Sequence, residues 1–182
     1  MNKNMFLIGI AGGTCSGKTY LAKSLVDYFG EDLINIIKVD SYYHDLSHLE
    51  MKKREINNFD HPSSFDFNLL FSDLCRIINN EVVYIPVYCY KTHTRKKEVK
   101  KIKSKKVTII EGIYSLYNKN IIDLLDLKIF LDKPDDLRKK IRLNRDIKQR
   151  ARTNNSIENQ YVKTVYPMYL KFINKTKENA DI

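Results

Sequence analysis

The chain has no tryptophan, only three cysteines, four prolines and six glycines, and each shortage excludes something. Cys15, Cys75 and Cys89 are odd in number, far apart and without a C-x-x-C pair. Neither a disulfide framework nor a structural zinc site is therefore expected, and the thiols read as reduced. Scarce proline and glycine beside 43% hydrophobic and 30% charged residues exclude collagen-like and low-complexity classes. No stretch approaches the roughly 18 apolar residues that a membrane helix needs. The opening "MNKNMFLIGIAGG" is too short and too soon interrupted for a secretory signal, so a cytoplasmic location with no membrane partner is expected. Acid is also short, with 22 Asp and Glu against 32 Lys and Arg for a net charge of +10. The densest basic run, "KTHTRKKEVKKIKSKK" (91–106), carries nine Lys or Arg against Glu98 alone. It reads either as a nucleic-acid patch or as a solvated, lysine-rich loop and strand edge. The second reading is taken here, and nucleic acid is not expected as a partner. With 182 residues the simplest organisation is one domain over 1–182.

Although glycine is rare, Gly9, Gly12, Gly13 and Gly17 fall within nine consecutive positions. Residues 5–11 before and among them read as a buried strand, and "GKTYLAKSLVDYF" switches to helical spacing, closed by Gly30. "INIIKVD" (34–40), "VTIIEG" (107–112) and "LKIFLD" (127–132) read as further buried strands. "FNLLFSDLCRIINN" (67–80) reads as a helix, and another starts at Pro134 with acids in its first turn. Strands alternating with helices predict an α/β domain, a mostly parallel sheet flanked by helices. Residues 81–100, rich in Val, Ile and Tyr with Pro86 inside, break the rhythm and read as an antiparallel β-hairpin excursion.

From Gly12 the spacing is G-x-x-x-x-G-K-T, between a strand and a helix, which is the context of a phosphate-binding loop of the P-loop NTPase type. Glycines let such a loop turn its N–H groups inward, and the helix N-terminus adds positive potential. The loop candidates are Gly12, Gly13, Thr14, Cys15, Ser16, Gly17, Lys18 and Thr19. Lys18 would reach the β- and γ-phosphates and the Thr19 hydroxyl would ligate Mg2+; Cys15 reads as a small filler in preference to a redox-sensitive thiol near the helix N-terminus. Ligands of an open parallel sheet lie beyond the carboxyl ends of the strands, so Asp40 and Glu111 are candidates for the metal shell or a catalytic base. Asp132 ranks below them, since an acid before a proline-started helix is commonly a cap. Arg138, Arg142, Arg145 and Arg152 share one face of the helix from 134, with Leu137, Ile141 and Ile147 on another, and the arginines suit charge migrating in phosphoryl transfer.

Nearly the whole chain resembles the uridine kinase (uridine-cytidine kinase) family. The likeness rests on "GIAGGTCSGKT", "DSYYHD" (40–45), "NFDHPSSFDF" (58–67), "IPVYCYKTHTR" (85–95), "VTIIEGIYSL" (107–116), "LKIFLDKPDDLRKKIRLNRDIKQRAR" (127–152) and "QYVKTVYPMY" (160–169). It implies a P-loop kinase with a substrate-binding hairpin (81–100) and a helical Arg-rich lid (134–160), usually a homotetramer. The implied reaction moves the γ-phosphate of ATP, or GTP, to the 5′-hydroxyl of uridine or cytidine. By motif position Asp40 is implied as the general base, with Thr19, Asp40 and Glu111 around Mg2+ and Lys18 and Arg145 assisting transfer. Arg145 and Arg150 would lie near the triphosphate. Tyr43, Phe59, Asp60, Tyr88, His93, Arg142, Arg152 and Gln160 are implied nucleoside contacts.

The sequence departs from the family where Cys89 replaces a common acid, Ala151 the glycine of the lid's R-G-R, and Cys15 a smaller loop residue. Relatives continue past "ADI" through a final strand, so a truncated C-terminal strand is expected. The rival readings are another P-loop kinase, acting on a sugar phosphate or pantothenate, and a non-catalytic nucleotide- or RNA-binding module using the basic run.

Overall fold

The computed structural model describes residues 5–150 and 153–182, the side chains of 149 and 150 excepted. Four strands make a parallel sheet in the order β2 (Ile34–Lys38), β5 (Val107–Glu111), β1 (Phe6–Gly12), β6 (Leu127–Leu131). The apolar β1 takes the centre, in register with β5 on one side (Ile8 opposite Ile109) and β6 on the other (Ile10 opposite Ile129). Successive side chains of a strand face opposite ways, and the sheet is buried on both faces accordingly. Ile10 and Ile109 pack with Ala22 of α1 (Lys18–Phe29). Leu7, Ala11 and Ile110 join Leu70, Leu74 and Ile77 of α3 (Phe67–Ile78) in the larger core. This is the α/β parallel sheet expected from the alternating pattern.

The predicted hairpin is present as β3 (Val83–Cys89) and β4 (Thr94–Ile102), an antiparallel pair that forms its own two-stranded sheet. Its register is irregular between Pro86 and Tyr88, where proline has no N–H for the ladder. The basic run supplies β4, whose residues 96–101 are all exposed. Arg95 anchors the hairpin, donating from Nε to the Tyr43 carbonyl at 2.9 Å and pairing with Asp66 at 3.2 Å. Shorter helices α2 (Met51–Glu55) and α4 (Lys119–Ile122) lie in the connections.

The second strand ends sooner than expected. Its pairing stops at Lys38, and Val39–Tyr42 form a single 3₁₀ turn, so Asp40 projects from a turn rather than closing the strand. The Tyr42 hydroxyl donates to Asp73 of α3 at 3.0 Å, both residues being buried, and this fastens the turn to the core. Asp132 pairs at the surface with Lys177 at 2.6 Å.

α5 (Asp135–Arg150) reverses the usual amphipathic order. Arg138 and Arg142 are buried, whereas Leu137, Ile141 and Ile147 are exposed. α6 (Asn154–Gln160) and α7 (Tyr166–Met168) are joined and followed by π-type turns over Tyr161–Val165 and Tyr169–Ile173, then a 3₁₀ segment, Asn174–Asn179. At the sheet edge Ile182 donates to the Lys128 carbonyl at 3.2 Å and accepts from the Phe130 N–H at 2.8 Å, aligning the last residues beside β6. No helix among the described residues is long and apolar enough to cross a membrane.

Replacing Tyr42 by Phe removes the donor facing a buried carboxylate and is expected to cost about 2 kcal/mol of stability. Urea unfolding at neutral pH checks this as a lower midpoint with an unchanged slope.

Candidate active site

The loop after β1 turns tightly, with backbone crowding one of its glycines and an arginine side chain the next. Gly12 has φ of 135°, and a β-carbon there would meet the Leu131 carbonyl; one on Gly13 would meet the Arg138 guanidinium. Cys15 also lies in the left-handed region at φ 61°, an uncommon conformation for a residue with a β-carbon. The loop is closed by the Ser16 N–H on the Gly13 carbonyl at 3.1 Å, and α1 opens with the Leu21 N–H on the Gly17 carbonyl at 2.9 Å.

Lys18, the first residue of α1, is buried beneath this loop, its ammonium donating to the Gly12 and Gly13 carbonyls at 2.9 and 2.8 Å. Burial lowers its pKa to about 8, partly countered by Glu111 and Asp40 nearby. The next residue, Thr19, donates to Glu111 Oε1 at 2.9 Å. Burial raises the Glu111 pKa, Asp40 adds to the rise, and the Thr19 bond and Lys18 oppose it. Lys18, Thr19, Asp40 and Glu111, from three separate stretches of sequence, thus meet where the sheet's strands end. Among the described residues no three His, Cys, Asp or Glu side chains gather as a metal site on their own.

The arginine face of α5 covers the same loop. Arg142 donates to Thr14 Oγ1 and to Gln160 Oε1, each at 3.1 Å. Arg138 reaches Asp135 at 2.6 Å and stacks its guanidinium 3.9 Å from the Tyr169 ring centroid. Arg145 pairs at 2.8 Å with the fully buried Asp146, which also lies 3.5 Å from Arg142. Among the described residues Arg138 Nη1 and the Ser16 hydroxyl are buried without hydrogen-bond partners, whereas Arg142 Nε has Asp146 Oδ2 at 3.5 Å as its ion-pair partner. Unpartnered buried groups are costly unless something satisfies them, and an anion in the loop suits both.

The second half of the site is aromatic. Phe59 and His93 stack with centroids 4.4 Å apart, and Tyr43 meets Phe59 at 5.7 Å and Tyr88 at 5.0 Å. His93 takes φ of 54° in the hairpin turn. Burial pushes the Tyr43 phenol well up, with Asp40 and then Asp60 adding to the shift. Asp60 is buried; its carboxylate accepts from the Thr164 hydroxyl at 3.2 Å and its carbonyl from the Tyr114 hydroxyl at 2.6 Å. A cavity of about 420 Å³ opens between α1, β2 and β3, with Thr19, Lys38, Asp40, Tyr88 and Tyr90 in its wall.

The expected loop and metal residues are therefore together, Arg142 and Gln160 are joined beside Thr14, and Tyr43, Phe59, Tyr88 and His93 form one series of ring contacts. The Arg150 side chain, Ala151 and Arg152 lie outside the described residues. Sequence reasoning missed Tyr90, whose hydroxyl donates to Asp40 Oδ2 at 3.1 Å, and Asp146, Tyr114 and Thr164. Only Asp146 had a signal, four residues after Arg142 on the arginine face; Tyr114 and Thr164 reach Asp60 across folds of the chain that no periodicity encodes.

The model of the phosphoribulokinase / uridine kinase family matches residues 7–182. A uridine kinase of Oceanobacillus iheyensis is 46% identical over 97% of this chain and 84% of its own length. A uridine kinase of Halalkalibacterium halodurans is 43% identical over 100% of this chain and 86% of its own. Among solved structures, a possible uridine kinase from Bacillus stearothermophilus superposes with a TM-score of 0.67 at 18% identity, over 100% of this chain and 89% of that one. Phosphoribulokinase from Rhodobacter spheroides does so with a TM-score of 0.67 at 13% identity, over 99% and 69%. The structural matches share the fold, and the family model over residues 7–182 with relatives 43–46% identical over nearly the whole chain settles the membership: the chain belongs to the phosphoribulokinase / uridine kinase family.

Proposed function

We propose that this protein transfers the γ-phosphoryl group of ATP to the 5′-hydroxyl of uridine or cytidine. The observation that carries this reading is the Lys18 ammonium held on the Gly12 and Gly13 carbonyls at 2.9 and 2.8 Å, beside Thr19 bonded to Glu111 and with Asp40 nearby, together with the Tyr43 ring, which is near Asp40 and meets Phe59, itself stacked on His93. Relatives named uridine kinases at 43–46% identity over nearly the whole chain support the choice of acceptor. The rival acceptors, a sugar phosphate or pantothenate, and the RNA-binding module have no comparable support.

The roles follow from charge and reach. Asp40 would accept the 5′-hydroxyl proton, a contribution of about 10² to 10⁴ in rate. Lys18 would hold the β- and γ-phosphate oxygens in place of its present carbonyl partners, while Arg145 and Arg142 would balance charge at the loop. The unpartnered Ser16 hydroxyl and Arg138 Nη1 fit a polyphosphate there. Thr19, Asp40 and Glu111 fit Mg2+, which takes oxygen ligands from one or two carboxylates together with phosphate. Mg2+, when bound, neutralises charge on the transferring group. Asp60 would accept hydrogen bonds from ribose hydroxyls, and Tyr43, Phe59, Tyr88 and His93 would enclose the pyrimidine, with Gln160 orienting Arg142 against the nucleoside. By family resemblance Arg150 would serve the triphosphate and Arg152 the nucleoside. A homotetramer in the cytoplasm belongs to this reading by family resemblance.

Asp40→Asn is expected to lower kcat by about 10² to 10⁴ while ATP affinity stays close to that of the parent. The assay is nucleotide formation from a panel of nucleosides, sugar phosphates and pantothenate, with ATP and Mg2+. Full turnover in the variant, or a parent that phosphorylates only the other acceptors, rejects the reading.

Lys18 is charged below its pKa of about 8 and neutral above it. ATP affinity should therefore fall about tenfold between pH 7 and pH 9. Calorimetric titration should show that fall in the parent and weak, pH-independent binding in Lys18→Ala; an unchanged affinity in the parent across this range would contradict the assignment of Lys18.

A further inference from the structure

We infer that Tyr90 is a positioning residue for the transfer reaction, its hydroxyl setting the orientation of the Asp40 carboxylate from the hairpin turn. This rests on the reading of Asp40 as base. Tyr90 directly follows β3 and opens the turn before β4, and its hydroxyl donates to Asp40 Oδ2 at 3.1 Å across 50 residues of sequence.

The backbone that carries Asp40 is already fixed. On one side Val39 fills the space where Gly112 has no side chain, so that a β-carbon there would stand 2.5 Å from the Val39 Cβ. On the other, Tyr42 is tied to Asp73 and the Tyr43 carbonyl to Arg95. What remains adjustable is the short Asp40 side chain, and a bond from Tyr90 to one oxygen sets the plane in which the other meets an acceptor alcohol. Reaction rates depend steeply on such alignment.

Tyr90 is also linked to the proposed nucleoside wall. Its ring meets Tyr88 edge-on at 5.6 Å, Tyr88 meets Tyr43 at 5.0 Å, Tyr43 meets Phe59 at 5.7 Å, and Phe59 stacks on His93 at 4.4 Å. The series begins and ends in the same hairpin turn. A pyrimidine enclosed by these rings therefore fixes the turn that holds the hydroxyl on Asp40, and the carboxylate is aligned when the acceptor is in place. A tyrosine that merely decorates an exposed turn would leave no such trace on kcat.

The test is steady-state kinetics on the full chain with Tyr90→Phe, Asp40→Asn and the double variant. Phe keeps the ring and removes only the hydroxyl. With a parent that phosphorylates uridine, Tyr90→Phe should lower kcat about tenfold, as loss of a hydrogen bond to a charged group does. The KM values for uridine and ATP should stay within about twofold, because an aligning contact acts on the chemical step. In the Asp40→Asn background the same change should have no further effect on kcat, since the hydroxyl acts through the carboxylate. A kcat equal to or above the parent's, a loss borne by KM, or an equal loss in both backgrounds overturns the inference alone. A parent inactive on every nucleoside removes the underlying reading and this inference with it.

Discussion

Much of this molecule depends on the contact between the Gly13 backbone and the Arg138 guanidinium. Because Gly13 carries no side chain, α5 lies directly on the loop, and the buried arginine is held by Asp135 at 2.6 Å and by the Tyr169 ring. The Tyr161 hydroxyl meets the same Asp135 oxygen at 2.6 Å. One cation therefore joins the central strand's loop, the helix after β6 and the C-terminal helical segment. Burying it would be prohibitive without these partners. With them, it brings Arg142 and Arg145 within reach of the loop.

The same constraint explains the inverted face of α5. In an ordinary surface helix the apolar stripe turns inward, but here Arg138, Arg142 and Asp146 do so and Leu137, Ile141 and Ile147 face out. Asp146 offsets two of the cations, which keeps the charged interior tolerable while leaving the loop's surroundings positive. A site for a polyanion benefits from that remaining field more than from a well-packed apolar contact.

Opposite the cations stand two acids with different surroundings. Glu111 ends a central strand, is buried and accepts from the Thr19 hydroxyl at Oε1. Asp40 projects from a turn at the mouth of a cavity and is reached by the hairpin through Tyr90. The first is placed by the sheet; the second sits where two separate pieces of the fold meet, which suits a group whose task depends on whether the acceptor has arrived.

By itself the sequence determined the parallel α/β sheet, the hairpin and the phosphate loop. These rest on local regularities, namely apolar runs, glycine and proline positions and the G-x-x-x-x-G-K-T spacing, and such regularities act over a few residues. Asp40 and Glu111 were legible because strand ends of an open sheet face the ligand, although Asp40 stands one short turn beyond its strand. Tertiary structure alone decided which way the arginine face points, that Asp146 is its buried counter-charge, that Thr164 and Tyr114 hold Asp60, and that Tyr90 meets Asp40. Each of these joins residues far apart in the chain or, for α5, depends on what the helix packs against. No periodicity records such contacts, because they exist only when separate elements are brought within a few ångströms by burial of the common core.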